Sequence, residues 1–262
     1  MSYCALQWPG QPSSNPLPTR AIKPTNASAT RVDSPEIAGY RASMSIGDSK
    51  QVQSSQNQVH ENLIDVVNHH RKTNFRKPIA KHTETAFDQV KTRLKNPGEG
   101  FILDSGCGVG LSSIQIAQTH PKHLVLGIDR SAHRLSKIPT EIEIPSNVIF
   151  LRADLVDFWR LLVQNQIIPK KHYLLYPNPY PKKRQFKQRW HGHPICPTLM
   201  ALSPHLELRT NWKIYAEEFS LTLHLFNKPH RLELLSPQIP LTQFERKYHS
   251  SGHALWRIMA PT

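Results

Sequence analysis

The feature that most constrains the fold is the stretch at residues 101–110, FILDSGCGVG, an apolar run followed by an aspartate and three glycines at alternate positions. Its first residues have the composition of a strand buried on both faces, and residues 111–119 have that of a following helix. Gly106, Gly108 and Gly110 have no Cβ, so the backbone can turn tightly and approach a ligand closely. The N–H groups at the helix start should then face that ligand. The stretch therefore predicts a cofactor loop in an α/β fold.

The spacing of this loop separates two kinds of cofactor. A dinucleotide-binding loop reads G-x-G-x-x-G and holds a pyrophosphate at the helix N-terminus, whereas this loop reads G-x-G-x-G and follows Asp104. A carboxylate there repels a pyrophosphate, but it can accept a hydrogen bond from the ammonium group of a methionine moiety. On these residues the stretch resembles motif I of class I S-adenosylmethionine (SAM) methyltransferases. The other interpretation, a glycine-rich turn of a Rossmann-like domain with a different ligand, stays open.

Two further acids follow predicted strands. Asp129 comes directly after the strand at residues 123–128, where a Rossmann-like sheet presents an acid to a ribose. Asp154 follows the strand at residues 147–152, and in a SAM enzyme an acid at this place can accept a hydrogen bond from the adenine amino group. Its alternative role is to cap the helix that begins at Leu155. The predicted SAM-binding residues are Asp104, Gly106, Gly108, Gly110, Asp129 and Asp154.

The most basic stretch follows the strand predicted at residues 172–176. It begins YPNPYPKKR, and its three prolines at alternate positions exclude a helix, so we expect an extended loop at the C-terminal edge of the sheet, where ligands bind in such folds. Cations are interleaved there with Tyr180, Phe186 and Trp190, a pattern typical of sites for single-stranded or flipped nucleotides. The predicted phosphate contacts are Lys182, Lys183, Arg184, Lys187 and Arg189.

Three segments carry a family resemblance. Residues 176–189, YPNPYPKKRQFKQR, resemble the F-P-D-P-W-x-K-K-R-H-x-K-R-R segment of bacterial tRNA (guanine-N7-)-methyltransferases. Residues 210–215, TNWKIY, resemble the family's T-D-x-x-x-Y, and residues 242–247, TQFERK, resemble its T-x-F-E-x-K. The resemblance runs from about Asn62 to the C-terminus, with the motifs in the family's order.

The resemblance implies a Rossmann-like seven-stranded SAM-methyltransferase sheet, mostly parallel with a C-terminal antiparallel hairpin. We place that hairpin at residues 230–235 and 254–259, with the segment between them folded over the substrate side. The resemblance further implies SAM as the cofactor, tRNA as the partner, and methyl transfer to N7 of a guanine in the variable loop. The implied functional positions are Asn178 for catalysis and Asn211, Thr242 and Glu245 for substrate binding.

Asn178 and Asn211 depart from the family, which has a functional aspartate at each of these positions. Residues 203–206, SPHL, also replace the Pro-Gly-Gly turn usual before the fifth strand. Because N7 of guanine has its lone pair available at neutral pH, catalysis needs alignment and charge compensation rather than a general base. Besides the implied enzyme, two alternatives stay open: an RNA-binding paralogue without activity, and a SAM methyltransferase for another RNA or a small substrate. A NAD-type enzyme is disfavoured by Asp104 and by the loop spacing.

The chain of 262 residues is long enough for one full α/β domain. Residues 1–58 are rich in Ser, Pro, Gln, Asn and Thr, and we expect a disordered tail before a methyltransferase domain at residues 59–262. Two helices with apolar faces are predicted before the first strand. The basic segment between them, residues 69–78, either contacts a phosphate backbone or is a solvated connection. The formal net charge of +14 favours a polyanionic partner such as nucleic acid.

Other kinds of site are not expected. The three cysteines are scattered and odd in number, which argues against a disulfide framework and for a reducing compartment. His191 and His193 lie near Cys196, but the repeated spacing of a structural zinc site is absent, so we expect no metal. No apolar run has membrane-spanning length and no secretion signal opens the chain, so we expect a cytoplasmic protein without a membrane partner. A monomer is assumed.

Overall fold

The computed structural model describes residues 49–96 and 98–261. Helices α1 (Leu63–Arg71) and α2 (Lys81–Lys95) precede the sheet, which confirms the two helices predicted from their apolar faces. Strands and helices then alternate. In chain order they are β1 (Phe101–Ser105), α3 (Leu111–Thr119), β2 (Leu124–Asp129), α4 (Ala132–Leu135), β3 (Val148–Arg152), α5 (Leu155–Gln164), β4 (Lys171–Leu175), a 3-10 helix (Lys183–Gln188), α6 (Cys196–Leu202), β5 (Leu206–Thr210), α7 (Lys213–Leu225), β6 (Arg231–Leu235), α8 (Gln243–Ser250) and β7 (Leu255–Ala260).

The strands form a seven-stranded sheet in the order β3-β2-β1-β4-β5-β7-β6. Strands β1 to β5 are parallel, and β7 runs antiparallel to both β5 and β6. This confirms the predicted fold class and the terminal antiparallel pair. The strand order reverses its direction at β1, which lies between β2 and β4. Ligands of open α/β sheets bind outside the carboxyl ends of the strands at such a point.

Strands β1 and β2 are buried along their whole length. Every residue of both is buried, as expected for parallel strands that helices cover on both faces. The main core packs α2 and α5 against this sheet, where the rings of Phe87 and Phe158 meet edge to face at 5.4 Å. At their carboxyl ends the strands carry buried Asp104, Ser105 and Asp129. Polar groups therefore enter the interior at the edge where ligands bind.

The two terminal strands are joined by a segment that contains a helix. Strands β6 and β7 lie within one residue of the predicted ranges, and α8 is formed between them. Strand β7 pairs with β5 on one side and with β6 on the other, so β6 forms the edge of the sheet. After β6, the chain passes through α8 and comes back into the sheet as β7, between β5 and β6. Helix α8 can therefore cover the neighbouring carboxyl ends of the strands, where ligands bind in such folds.

Residues 49–58 have no regular secondary structure but contact the domain. The Ser54 hydroxyl donates to the carbonyl of Pro181 at 2.5 Å. The Gln56 side chain is 3% exposed and donates to Glu218 at 2.6 Å. This segment belongs to the domain, so the boundary predicted at residue 58 lies too late in the chain. Residues 1–48 of the predicted tail fall outside the described residues.

Candidate active site

The glycine loop between β1 and α3 needs its glycines for two different reasons. Gly106, Gly108 and Gly110 have φ of +82°, +59° and +79°, in the left-handed region that favours glycine. A Cβ on Gly106 or Gly108 would meet no atom within 4 Å, because both face open space. A Cβ on Gly110 would come within 2.8 Å of the Phe150 ring of β3. The first two glycines thus form an open cradle, and the third packs the loop against the sheet.

Three N–H groups of this loop, which precede the start of α3, donate within the protein. Those of Gly106 and Cys107 both donate to the carbonyl of Ile128, at 2.7 and 3.0 Å, and that of Gly108 donates to Asp129 at 3.1 Å. The tight turn folds these donors back onto the end of β2. The loop therefore offers a ligand the surface left by the missing Cβ atoms rather than these donors.

Asp104 lies beneath the loop and is 1% exposed. One carboxylate oxygen accepts hydrogen bonds from the hydroxyls of Ser112 and Ser113, at 2.6 and 2.7 Å. Burial raises the pKa of Asp104, and the two hydroxyls act against this shift. The other oxygen has no hydrogen-bond partner within the described part of the chain. The predicted contact of Asp104 with an ammonium group stays a prediction.

Asp129 and Asp154 each hold backbone groups and also line a cleft. Asp129 accepts the N–H of Gly108 and, at 2.8 Å, that of Ser131, so it ties the glycine loop to the turn after β2. Asp154 accepts the N–H of Val156 at 3.0 Å, which confirms its alternative role as the cap of α5. Both side chains line the same cleft. Their contacts with ribose and adenine stay predictions.

Two clefts lie side by side at the carboxyl edge of the sheet. The first, which we call the β2 cleft, is lined by residues that include Gly106, Asp129, Asp154, Tyr180 and Trp190. The second, which we call the α8 cleft, is lined by residues that include Gly108, Asn178, Asn211, Thr242, Phe244 and Tyr248. Gly106, Arg134, Leu175, Tyr176, Pro177 and Asn178 line both. Ligands in the two clefts would therefore be adjacent.

Asn178 lies where the two clefts meet, on a loop that turns rather than extends. Tyr176 and Tyr180 have φ of +51° and +45°, so the chain bends on both sides of Asn178. The predicted extended conformation is wrong at these two residues, because the folded structure holds both in a left-handed conformation although a proline follows each and favours an extended one. Such backbone conformations cost about 1–3 kcal/mol each and cluster at functional sites. The Asn178 side chain is exposed, and its oxygen accepts the N–H of Tyr180 at 3.3 Å.

The predicted phosphate contacts divide into exposed and buried side chains. The exposed ones are Lys182, Lys183, Arg184 and Lys187. Arg189 is 0% exposed and donates to Glu218 at 2.6 Å, to the Gln56 side chain at 3.0 Å and to the carbonyl of Tyr180 at 3.1 Å. The prediction for Arg189 is wrong, because no phosphate can reach a guanidinium that is fully buried and hydrogen-bonded.

Arg189 belongs to a buried polar cluster around Glu218. Glu218 also accepts from the His191 ring at 2.7 Å and from the N–H of His60 at 3.0 Å. Burial raises the pKa of Glu218, but the hydrogen bonds and charges of His191 and Arg189 outweigh it and lower that pKa to about 2. Burial lowers the pKa of His191. The cluster connects α7, the end of the 3-10 helix and residues 56–60, and so holds the basic stretch in place.

Glu245 ties α8 to the core instead of facing a ligand. It is 0% exposed, and its carboxylate accepts from Arg209 at 2.9 Å and from the Tyr176 hydroxyl at 2.8 Å. Burial and the Glu245 charge raise the pKa of Tyr176. The prediction that Glu245 binds substrate is therefore wrong. Thr242 caps α8 by accepting the N–H of Glu245 at 2.9 Å, and it lines the α8 cleft, where its substrate contact stays a prediction.

The α8 cleft lacks acids. Asn211 lines it, and its side-chain nitrogen lies 3.3 Å from a ring nitrogen of His253. No carboxylate of the described residues lines this cleft, whereas Asp129 and Asp154 line the β2 cleft. Amides thus occupy both positions where the resembling family has aspartates, and no other described acid takes their place.

Three residues that line the clefts were not predicted as site residues. Arg134 lines both clefts and lies 3.6 Å from the Asp129 carboxylate. Phe244 and Tyr248 line the α8 cleft. Phe244 and Tyr248 are four residues apart, a spacing typical of one helix face, so the sequence could have predicted that their rings lie together. Nothing in the sequence near Arg134 distinguished it from other exposed cations.

The described residues contain no other obvious reactive centre. Within them, no group of three or more His, Cys, Asp or Glu side chains is arranged to hold a metal ion. Cys107 and Cys196 are buried thiols, and burial raises the pKa of Cys196 to about 12. In residues 49–96 and 98–261, no helix combines the length and apolar composition that crossing a membrane requires.

Comparison with known proteins identifies the family. A family model described as "Putative methyltransferase" matches residues 99–258, which is more than half of the chain. The chain belongs to this methyltransferase family. Its cofactor is SAM, as predicted. The site fits that cofactor, since the cradle of Gly106 and Gly108 is open and one oxygen of Asp104 beneath it lacks a partner among the described residues.

The relatives carry more specific names. A tRNA (guanine-N(7)-)-methyltransferase of Treponema pallidum (strain Nichols) is 29% identical over 167 residues, covering 60% of this chain and 65% of the relative. One of Nitrosospira multiformis is 28% identical over 168 residues, covering 60% and 72%. The match thus spans less than two thirds of the Treponema protein's length. A solved structure described as "Structure of an antibiotic related Methyltransferase" has a TM-score of 0.50 at 19% identity, covering 70% of this chain and 98% of that one, which shows a shared fold.

Proposed function

We propose that this protein transfers the methyl group of SAM to N7 of a guanine in tRNA. The observation that carries the proposal is the junction of the two clefts at Asn178, beside a run of exposed cations. The names of the curated relatives favour the same substrate. The variable loop as the target and the cytoplasm as the compartment are the finer parts of the proposal.

The proposed reaction requires the protein mainly to align the two reactants. When bound, SAM would supply an electrophilic methyl group: the N7 lone pair would bond to it, the electrons of the methyl–sulfur bond would stay on sulfur, and the positive charge would pass to the guanine. Gly106, Asp129 and Asp154 would hold the cofactor in the β2 cleft, and Gly108 lies on the side of the loop that lines the α8 cleft. Asn178 lies where both ligands meet, and its amide can hydrogen-bond an edge of the base. No residue has to remove a proton, so correct placement of the two reactants supplies much of the rate.

The site provides little compensation for the charge that forms on guanine. Asn178 and Asn211 present neutral amides, and Glu245 is withdrawn into the core. Losing one preorganised electrostatic contact at a developing charge commonly costs ~10²–10³ in rate. We therefore expect slower turnover than in a site with two aspartates.

Cations for the tRNA phosphates come from two distant segments. Helix α1 packs on the 3-10 helix through Leu63, Val67 and Phe186, and Lys183 pairs with Glu61 at 3.1 Å. The connection after α1 lies beside the end of the basic stretch, since the rings of Phe75 and His193 are 5.7 Å apart and Lys77 lines the β2 cleft together with Gln188. We call the basic surface the exposed side chains of Lys72, Arg76, Lys77, Lys182, Arg184 and Lys187. The proposal therefore assigns the segment at residues 69–78 to phosphate contacts, for which the sequence alone left two interpretations.

Methylation of a defined tRNA transcript tests the proposal. The protein is incubated with labelled SAM and unmodified tRNA, and the product is digested to nucleosides. We expect the label in 7-methylguanosine. A matched transcript in which the variable-loop guanosine is replaced by 7-deazaguanosine lacks the nucleophilic nitrogen and should take up no label at that position. Label in any other nucleoside would contradict the proposal, and label retained by the 7-deaza transcript would contradict the variable-loop target.

A second candidate is an RNA-binding paralogue that binds SAM without turnover. The observation that favours it is the absence of carboxylates from the lining of the α8 cleft among the described residues. The same experiment separates the two candidates. Salt-dependent tRNA binding without any methylated nucleoside, even at enzyme excess, would support this paralogue.

A further inference from the structure

Two aromatic rings of α8 face the α8 cleft. Phe244 and Tyr248 lie four residues apart, so they share a face of the helix, and both line the cleft. Their ring centroids are 6.2 Å apart with planes 26° from parallel, and Tyr248 in turn stacks on His253 at 5.3 Å. Phe244 is therefore at the outer end of a row of three rings.

Phe244 is held in place although its ring is exposed. The ring is 52% exposed, whereas the next residue, Glu245, is fully buried in its contacts with Arg209 and Tyr176. Thr242 caps the first turn of the same helix. A single exposed apolar side chain needs no explanation by itself. This one differs because it lies inside a cleft, on a helix whose first turn is tied to the core.

We infer that Phe244 stacks on the guanine that is methylated and that its π face stabilises the positive charge formed there. This inference rests on the proposed function. An aromatic face carries negative electrostatic potential and attracts cations. Among the described residues no carboxylate lines the α8 cleft, so the ring supplies compensation that Asn178 and Asn211 do not.

Stacking also leaves the reactive edge of the base accessible. The ring covers only one face of the guanine, and the edge that bears N7 can point to the cleft junction, where Asn178 offers hydrogen-bonding groups. A neutral base and its methylated cation both stack on an aromatic ring, but the cation is attracted more strongly. The contact therefore strengthens as the methyl group is transferred, and it acts on the rate as well as on binding.

Phe244→Leu tests the ring while keeping an apolar side chain that suits a helix. We expect its single-turnover methylation rate at saturating SAM and tRNA to fall about tenfold to a hundredfold. Its SAM affinity, measured by calorimetry, should not change, because Phe244 does not line the β2 cleft. Phe244→Trp should restore the rate. Pentafluorophenylalanine at this position keeps the shape but reverses the polarity of the face, so it should lower the rate.

Leu234→Ala is the matched control, because Leu234 is 64% exposed on β6 and lines neither cleft. It should methylate at the wild-type rate. A wild-type rate for Phe244→Leu overturns the stack, and an unchanged rate with pentafluorophenylalanine overturns the charge stabilisation.

Failure of the proposed function gives a different result. If the wild-type protein forms no 7-methylguanosine, the stack is judged from tRNA affinity measured with S-adenosylhomocysteine present. Weaker binding by Phe244→Leu that Phe244→Trp restores supports the stack, and equal affinity of all three proteins overturns it.

Discussion

The β2 cleft and the α8 cleft share a wall, but Asp129 lines the first whereas Glu245, on α8, is buried beside the second. Asp129 accepts two N–H groups at the end of a strand, so part of its acceptor capacity is left for a ligand. Glu245 accepts four hydrogen bonds, from Arg209, Tyr176 and the backbone, and has no acceptor position left for a ligand. An acid in a family motif is therefore available for chemistry only if its other partners leave acceptor positions open.

Removing the buried acid of α8 should have the largest effect. Glu245→Ala leaves the Tyr176 hydroxyl without its acceptor and removes one of the two carboxylate partners of Arg209, and breaking a buried pair costs about 3–5 kcal/mol. Arg209 keeps its hydrogen bond to Glu207 at 2.6 Å, so we expect the free energy of unfolding to fall by about 3 kcal/mol, at the low end of this range. Chemical denaturation measures this change. SAM affinity should stay at the wild-type value.

The control for this change is Lys247→Ala, an exposed position on the same helix, which should leave the stability unchanged. A parallel loss of SAM affinity in folded Glu245→Ala would show that the two clefts are not independent.

Restoring the acids to the α8 cleft should have the next largest effect. Asn178→Asp with Asn211→Asp places negative charge near the guanine, so single-turnover methylation should accelerate by ~10² or more. Asn227→Asp adds the same kind of charge at an exposed position outside both clefts and should change nothing. Equal, robust rates for wild type and the double variant would mean that the aspartates are dispensable here. SAM affinity should be unchanged in all three proteins.

Asp129→Ala should act on the β2 cleft alone. It removes the acceptor that ties the glycine loop to the turn after β2, and hydrogen bonds to charged groups contribute about 1.5–3 kcal/mol. We expect the Kd for SAM to rise roughly tenfold to a hundredfold, with tRNA affinity unchanged. Calorimetry measures this, with Asp88→Ala, an exposed acid of α2, as the control. An unchanged Kd would remove Asp129 from the cofactor site.

Single cations of the basic surface should have the smallest effects. Lys182→Ala, Arg184→Ala or Lys187→Ala each removes one proposed phosphate contact, so the salt dependence of tRNA binding should become shallower by about one unit of slope. Lys95→Ala, exposed at the end of α2 and outside both clefts, serves as the control. If these variants keep the wild-type slope, the basic surface is only a solvated face.

Local sequence patterns were sufficient to predict the helix and the two strands beside the glycine loop. Helix α3 has the predicted bounds, and β2 begins and ends within one residue of its predicted range. The apolar runs of β1 and β2 are short and flanked by glycines or acids, so their burial and their ends follow from nearby residues. The bends at Tyr176 and Tyr180 were not predictable in this way, because left-handed φ values at non-glycine residues depend on the surrounding structure.

What the sequence alone determined was the kind of fold, the place of the glycine loop and the family resemblance, since these depend on periodicity, spacing and residue type within short segments. Only the tertiary structure decided which charged side chains are buried in hydrogen bonds and which stay exposed. Arg189 is buried by Gln56, which is 133 residues distant in the chain, and Glu245 by Tyr176, which is 69 residues distant. Such partners come together only when the chain folds, because burial and pairing are properties of contacts between distant segments rather than of any motif.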